Sequence, residues 1–405
     1  MKNKISPVQP FPPPPLSTQF LETYSSTFDA YFETHPIEWD SKEEKFTINS
    51  VSHCKLYWFN TVIIFFGMTC VPTGYLIRRQ FLYGANSTWT GIFFPILGFL
   101  FMSVFIFVLI VAYYASGVVA LLTNLIQLEE LILKESLSNP LKNVARHENL
   151  IQSLRRQNRS FVLTPFIFVG FAIFLNLCPH GLLVTELYPE ILHGNGVWTV
   201  RAISFVLMSI GGLEHGQMMG LFCSFTCAIT YSFERISTLA GKLQIRTKPR
   251  FHKAIQIYLQ IQLISKIGRS FILTWISLLL TTTFFVIIGF NYVVIKLYGK
   301  MPVTVYVMAP YMNGVMLSTL WYLLPAFTRV NVNMAEGKER LRCRSMFVLT
   351  RNSWQRKIAD SVAVGGIECG LGDYKFFMIE YDFKKDFFNK VLDNTWNLLL
   401  SFPDP

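Results

Sequence analysis

Charged side chains are scarce in this sequence of 405 residues, because Asp, Glu, Lys and Arg together make up only 15% of it. Soluble globular domains contain about 25% charged residues, so the shortage argues against a single soluble domain. Hydrophobic residues make up 52% of the chain. The net charge of +11 lies in the connections between apolar stretches, where basic residues orient a membrane protein and attract anionic lipid headgroups. We therefore expect membrane lipid, and no nucleic acid, as a partner.

Motifs that perform catalysis or hold a metal are also missing. The sequence contains no Walker loop, no GxSxG elbow and no HExxH motif, and its seven cysteines form no CxxC pair. We therefore expect no enzyme activity, no cofactor and no metal site. The start of the given sequence has no pattern of a cleavable signal peptide, so the first apolar span is expected to direct membrane insertion.

Seven stretches are long enough to cross a bilayer, which requires about 20 mainly apolar residues. They predict an all-α membrane protein with one structural unit over residues 51–402. Residues 1–50 are expected to form a cytosolic, Pro-rich and partly disordered tail. The predicted spans are Leu56–Ile77, Gly91–Val119, Phe161–Leu183, Ala202–Phe233, Phe271–Leu297, Val303–Phe327 and Phe376–Phe402.

Basic residues in the connections predict the orientation of the chain. Lys and Arg number six in 119–160, eight in 234–270 and eight in 328–372, against about two in each other connection between spans. Because basic loops remain in the cytosol, the N-terminus is expected inside and the C-terminus outside. Apolar and acidic residues alternate at helical spacing in 121–133, which predicts helices extended into a cytosolic anchor bundle. Asn86, in an Asn-Ser-Thr sequon, would be extracellular and a glycosylation site.

The last span carries polar side chains at steps of three or four residues. An unpartnered polar group in hydrocarbon costs several kcal/mol, so this stripe must face protein or water. One interpretation is that it forms hydrogen bonds to other helices of the same chain. The other is that several chains place their stripes around a water-filled axis, where carboxylate rings favour cations. The stripe consists of Asp386, Asn389, Asp393, Asn397 and Ser401.

The seven spans, the cytosolic N-terminus and the C-terminal helix resemble the arthropod gustatory and odorant receptor superfamily. The superfamily signature near the C-terminus is Thr-Tyr, a short apolar run and Gln-Phe. Here Thr395-Trp396 and Ser401-Phe402 keep Thr and Phe but replace Tyr by Trp and Gln by Ser, with Gly365-Gly366 upstream. The resemblance implies a chemosensory receptor of the plasma membrane that is a homo- or hetero-tetrameric, ligand-gated, non-selective cation channel. It also implies that the last helix lines the pore and that cytosolic extensions of spans four to seven join the subunits.

A small-molecule pocket in the outer half of the bundle is implied by the same resemblance. Glu214 and His215 are candidates in span four, because an ionisable residue within a membrane span is a functional-site hypothesis by default. Gly212, Gly216 and Gly220 are expected to pack against another helix. Aromatic side chains with a few polar groups suit a small organic ligand. The other candidates of this kind are Phe174, Asn176, Asn291, Tyr292, Tyr306, Tyr311 and Asn313.

Two other function classes remain open at this stage. A G-protein-coupled receptor would have an extracellular N-terminus, and the acidic-Arg-aromatic triplet after span three and the Asn-Pro-x-x-Tyr run in span seven are both missing. The basic inner loops nevertheless suit a signalling partner. A secondary transporter would show internal repeats with broken helices at matching positions. Pro179 and Pro310 are suitable breakpoints, but the seven unequal spans show no clear repeat.

Overall fold

Long helices account for most of the computed structural model. It describes residues 14–28, 35–41, 43–50, 52–65, 88–136, 144–174, 196–242, 248–348, 354–361 and 366–401, with a few isolated positions between 70 and 78. The helices are α1 (Leu16–Phe28), α2 (Lys55–Phe59, continued by the π-helix Asn60–Ile64), α3 (Thr88–Tyr113), α4 (Ala115–Ser136), α5 (Val144–Phe174), α6 (Gly196–Lys242), α7 (Lys248–Ile267), α8 (Arg269–Lys296), α9 (Val303–Val348), α10 (Trp354–Ser361) and α11 (Phe383–Ser401). Two antiparallel hairpins join β1 (Ile37–Asp40) to β2 (Lys45–Ile48) and β3 (Glu368–Leu371) to β4 (Tyr374–Met378).

Several of these helices have the length and composition to cross a membrane. Among the described residues, Ala115–Lys134, Gly196–Ala240 and Arg269–Lys296 are long and apolar enough to do so. The helices α6 and α9 contain 47 and 46 residues, so each is about 70 Å long at 1.5 Å per residue. This is more than twice the thickness of the hydrocarbon core, and each helix must therefore continue beyond it. The expected all-helical membrane architecture is confirmed, while the count of seven spans stays a prediction.

The core is organised around α6, which packs against α1, α4, α5 and α9. Gly212, Gly216 and Gly220 lie where α6 meets Pro165 and Phe161 of α5 and the Phe28 ring of α1, so a larger side chain at any of them would collide with a neighbour. Their predicted packing role is confirmed.

An aromatic cluster fills the space between α3, α6 and α8. The Phe222 ring centroid lies 4.3 Å from that of Phe107 and 4.6 Å from that of Trp275. The Trp275 indole donates a hydrogen bond of 2.8 Å to the Thr226 hydroxyl. This polar group is therefore satisfied within the core.

The predicted start of the last helix at residue 376 is wrong. Residues 374–378 form β4, which pairs with β3, and Leu371 faces Tyr374 across a two-residue turn. Gly372 in that turn has φ +56°, a conformation that glycine adopts without steric cost. The pore helix candidate therefore begins at Phe383 and contains 19 residues.

Several segments of residues 14–50 are folded and packed against the bundle, and the expectation of a partly disordered cytosolic tail stays a prediction. The helix α1 buries one face against α6 and α5, and the Glu129 carboxylate of α4 accepts hydrogen bonds from the backbone N–H of Leu16 (2.7 Å) and the hydroxyl of Ser17 (3.0 Å). Helix N-termini present unpaired N–H groups and a positive dipole end, so this carboxylate caps α1 from a distant helix. Arg235 of α6 lies 2.7 Å from the same fully buried carboxylate.

Candidate pore helix and ligand cavity

The helix α11 uses one of its faces to join the rest of the subunit. Phe387, Val391 and Thr395 are buried along this face, which packs mainly against α8. The rings of Phe387 and Phe284 lie 5.8 Å apart in an edge-to-face arrangement. The spacing of four residues places these side chains in one row along the helix, and the apolar contact therefore fixes the rotation of α11 on the bundle.

The predicted polar stripe lies on a different side of α11 and is exposed in the isolated subunit. All five of its side chains are exposed, namely Asp386, Asn389, Asp393, Asn397 and Ser401. The Ser401 hydroxyl donates 2.8 Å to the carbonyl of Asn397 in its own helix. Within the described residues, the Asp386 and Asp393 carboxylates make no ion pair or hydrogen bond through their side chains. The interpretation that the stripe bonds to other helices of the same chain therefore does not describe this subunit.

A third, apolar side of α11 is also exposed. Leu392, Trp396 and Leu400 leave 64%, 64% and 63% of their surfaces uncovered. At 100° per residue Leu392 and Trp396 lie between the buried row and the polar stripe, and Leu400 lies within the angular range of the stripe. In a predicted membrane span such exposed apolar area faces either lipid or another subunit.

A chain of side-chain hydrogen bonds connects α9, α8 and α11. The Asn313 amide of α9 donates to the Asn291 carbonyl oxygen of α8 over 2.7 Å, and the Asn291 amide donates to the Thr395 hydroxyl of α11 over 3.2 Å. Asn291 and Asn313 are among the predicted ligand-binding residues, and in this subunit they join three helices; their ligand role stays a prediction. Thr395 is also the residue that matches Thr in the C-terminal signature. It therefore marks where that signature lies in the structure, at the contact between the candidate pore helix and the bundle.

Tyr306 and Tyr311, two other predicted ligand residues, make hydrogen bonds at different helix contacts. The Tyr306 hydroxyl donates to the Val294 carbonyl of α8 over 2.9 Å, whereas the Tyr311 and Thr164 hydroxyls lie 3.0 Å apart between α9 and α5. Tyr292 is buried.

Glu214 lies within electrostatic range of Tyr57 of α2. The side chains of Phe174 and His215, and the whole of Asn176 and Asn86, lie outside the described residues.

A small cavity of about 20 Å³ lies between α3, α5, α6, α8 and α9. Such a space holds a water molecule. The Gln157 amide bridges its wall, donating to the Thr319 hydroxyl over 3.2 Å and to the Cys223 sulfur over 3.8 Å. The lining residues are Leu100, Val104, Phe107, Gln157, Met219, Phe222, Cys223, Leu279, Thr282, Thr283, Val315, Met316 and Thr319.

The cavity combines aromatic walls with polar groups that are available for binding. The buried Thr282 hydroxyl has no hydrogen-bond partner among the described residues, so a guest with a hydroxyl or carbonyl group would satisfy it. Drug-sized ligands occupy pockets of about 300 Å³ or more, and side chains such as Met219 must therefore move before such a ligand enters. Sequence reasoning missed this site, because Gln157 was assigned to a cytosolic connection.

Metal binding receives no support from the described residues. No group of three or more His, Cys, Asp or Glu side chains among them is placed to hold an ion.

Comparisons with known proteins identify the fold of the chain through solved structures. No family model matches the chain, and no curated protein matches its sequence. The structure of the insect olfactory receptor OR5 from Machilis hrabei has a TM-score of 0.55 and 11% identity, covering 96% of this chain and 97% of that one. The same receptor in complex with eugenol has a TM-score of 0.52 and 12% identity, with the same coverage. At this identity the likeness shows the fold, so the chain has the insect olfactory receptor fold over nearly its whole length.

Proposed function

We propose that the chain is a subunit of a chemosensory receptor of the arthropod gustatory and odorant receptor superfamily, acting as a ligand-gated, non-selective cation channel. The exposed polar stripe of α11 is the observation that carries this proposal. A stripe with two carboxylates has no reason to face hydrocarbon, and in the subunit it faces away from α8. Four subunits around an axis, identical or related, would place the stripes in water at its centre.

In that assembly Asp386 and Asp393 form two rings of carboxylates. The two residues are seven positions apart, which is about 10 Å along the helix and nearly the same direction around it. Rings of carboxylates attract cations and repel anions. The exposed apolar side of α11 with Leu392 and Trp396 would then pack against the neighbouring pore helix.

The ligand is a small organic molecule, and its site lies in the outer half of the bundle, with the cavity beside Gln157 and Thr282 at its inner end. OR5 was solved in complex with eugenol, a small phenol, and an aromatic cavity with hydroxyl groups suits that chemistry. A ligand opens the channel if it binds the open arrangement more tightly than the closed one. The bonds from Asn313 through Asn291 to Thr395 provide a route by which displacement of α9 reaches α11.

Patch-clamp recording of cells that express the chain tests this function directly. A panel of small volatile alcohols, phenols and sugars should include compounds that evoke a cation current. Asp393→Asn should lower single-channel conductance or change the permeability ratio of sodium to calcium, because one charge is lost from each subunit in the ring. Asp360→Asn removes an equally exposed carboxylate from α10 and should leave both properties unchanged. A ligand-evoked current identical in wild type and Asp393→Asn would contradict a pore lined by α11.

The orientation is part of the same proposal, with a cytosolic N-terminus in the plasma membrane and an extracellular C-terminus. Epitope tags at the two ends, stained on intact and on permeabilised cells, measure it. The C-terminal tag should stain intact cells, and the N-terminal tag only permeabilised ones. The opposite pattern would favour a G-protein-coupled receptor.

A further inference from the structure

Three arginines stand together on the outward side of α5. Arg155, Arg156 and Arg159 are all exposed and lie within little more than one helical turn. Within the described part of the chain, none of them makes an ion pair or a side-chain hydrogen bond. Three neighbouring cations without counter-charges repel one another, and a partner that supplies negative charge would relieve this repulsion.

Other arginines in the inner half of the bundle have carboxylate partners. Arg235 lies 2.7 Å from Glu129, and Arg329 forms a two-pronged ion pair with Glu234. The protein therefore supplies internal partners where a guanidinium is enclosed. The arginines of α5 differ, because they are exposed and have no carboxylate partner among the described residues.

The outward side of α5 becomes apolar directly beyond the arginines. Leu163, Phe166 and Ile167 leave 61%, 43% and 54% of their surfaces exposed. Their spacing from Arg159 is four, seven and eight residues, which places them on the same side of the helix. They lie in the predicted third span, so the basic group lies where the hydrocarbon core is expected to end on the cytosolic side.

The opposite side of the same turn is fixed to the bundle. Asn158 is fully buried and donates to the Ser224 hydroxyl over 3.5 Å, and Gln157 donates to Thr319. These contacts hold the rotation of α5, so the three arginines cannot turn inward to find partners there.

We propose that Arg155, Arg156 and Arg159 bind the headgroups of anionic phospholipids in the cytosolic leaflet. A guanidinium fits a phosphate with two parallel hydrogen bonds, and the apolar strip outward of the arginines accommodates the acyl chains of the same lipid. A phospholipid matches both parts of the surface, whereas a soluble anion matches only the basic part. Since the bound turn also carries Gln157, the lipid would hold the wall of the cavity in place.

Native mass spectrometry of the purified full chain tests this binding without any need for ion conduction. The protein is reconstituted in nanodiscs of phosphatidylcholine with 10% phosphatidylserine or phosphatidylinositol bisphosphate, and retained lipids are counted after gentle extraction. The variant R155Q/R156Q/R159Q should retain anionic lipid with an affinity lower by a factor on the order of 100, because each basic residue near the surface contributes about fivefold. Retention of phosphatidylcholine should not change.

A charge-matched control removes three basic residues from the cytosolic end of α9. Lys338, Arg340 and Arg342 lie about 50 Å along α9 from its outer end, beyond the reach of the headgroups. K338Q/R340Q/R342Q should retain anionic lipid as wild type does. An unchanged affinity in the α5 variant, or an equal loss in the α9 control, overturns the proposal.

Two further arms keep the outcome decisive. Inorganic phosphate at millimolar concentration should not displace the lipid. Full displacement would indicate that the site binds a soluble anion and would overturn the proposal. If the triple variant does not survive purification, the single variants Arg155→Gln and Arg159→Gln should each lower the affinity about three- to fivefold. Wild-type affinity in both single variants likewise overturns the proposal.

Discussion

The inner bundle and the candidate pore helix treat their charges in opposite ways. In the bundle, the fully buried Glu129 carboxylate is enclosed by Arg235, Ser17 and the start of α1. On α11, the carboxylates of Asp386 and Asp393 are exposed and have no partner among the described residues. Paired, enclosed charges hold a subunit in one conformation, whereas unpaired charges in a predicted span require water or another subunit. The difference separates residues that maintain the fold from those that we assign to conduction.

The largest expected effect comes from breaking the enclosed charge cluster. Glu129→Leu removes the carboxylate but leaves the Arg235 guanidinium buried and the N-terminus of α1 uncapped. Loss of one partner from a buried pair costs about 3–5 kcal/mol, so the melting temperature in detergent should fall steeply and expression should drop. Thermal melting followed by fluorescence-detected size-exclusion chromatography measures this change.

A neighbouring glutamate provides the control for that substitution. Glu130 lies 3.9 Å from Lys134 in a largely exposed pair, and Glu130→Leu should change stability by less than about 1 kcal/mol. Replacing both partners, as in E129M/R235M, should recover much of the loss, because no lone charge then remains. If Glu129→Leu melts like wild type, α1 is not held by this carboxylate.

A smaller effect is expected from pH, through a buried histidine beside the N-terminal hairpin. His35 is buried and its ring lies 4.7 Å from that of Tyr57. Burial lowers the pKa of His35 from 6.5 to about 4, since enclosure disfavours the charged form. The folded state therefore keeps the neutral ring, its contribution to stability is complete above pH 6.5, and it is lost as the pH falls towards 4. By pH 5 the loss should be about 2 kcal/mol.

Melting curves recorded at pH 7.5 and pH 5 check this expectation. His35→Phe should flatten the difference between the two curves, because the titrating group is gone while a ring remains at the site. His53→Phe replaces an exposed histidine in the same region and should keep the wild-type difference. A wild-type protein that melts at the same temperature at both pH values would exclude a buried neutral His35.

The sequence predicted the helices and the stripe of α11 because both depend on local periodicity. Apolar runs require helices in a membrane, and steps of three or four place Asp386 and Asp393 on one side. The start of α11 was wrong because it depends on distant contacts, in which Asn331 of α9 donates to the carbonyls of Ile367 and Ile379 on either side of the β3–β4 hairpin. No local pattern records such a contact.

The same limit applies to the contacts of the N-terminal helix and of the predicted ligand residues. Order in residues 16–28 depends on Glu129, which lies more than 100 positions away in the chain. Asn291 and Asn313 were predicted to bind ligand because polar groups in membrane spans are costly without partners. That cost is real, but composition cannot tell whether the partner is a ligand or another side chain, and here each amide meets the other.

The smallest effect is expected at the contact between α11 and the bundle, where Thr395 accepts a hydrogen bond from Asn291. Thr395→Val keeps the shape of the side chain and removes the hydrogen bond from Asn291. One hydrogen bond of this kind is worth about 1 kcal/mol, so the ligand concentration for half-maximal current should shift about fivefold. Ser318→Ala on α9 removes an exposed hydroxyl that bonds only to its own helix and should leave the concentration unchanged.

A double-mutant cycle then decides whether the amides transmit displacement from α9 to α11. Asn313→Leu should shift the half-maximal concentration in the same direction as Thr395→Val. Residues joined in one hydrogen-bond network give non-additive effects, whereas independent sites add within about 0.5 kcal/mol. If Asn291 couples the two, the double variant should shift little further than either single variant, since the first break already disconnects the chain. Additive shifts would mean that Thr395 only anchors α11, and that the ligand acts on the pore helix through the apolar contact at Phe387.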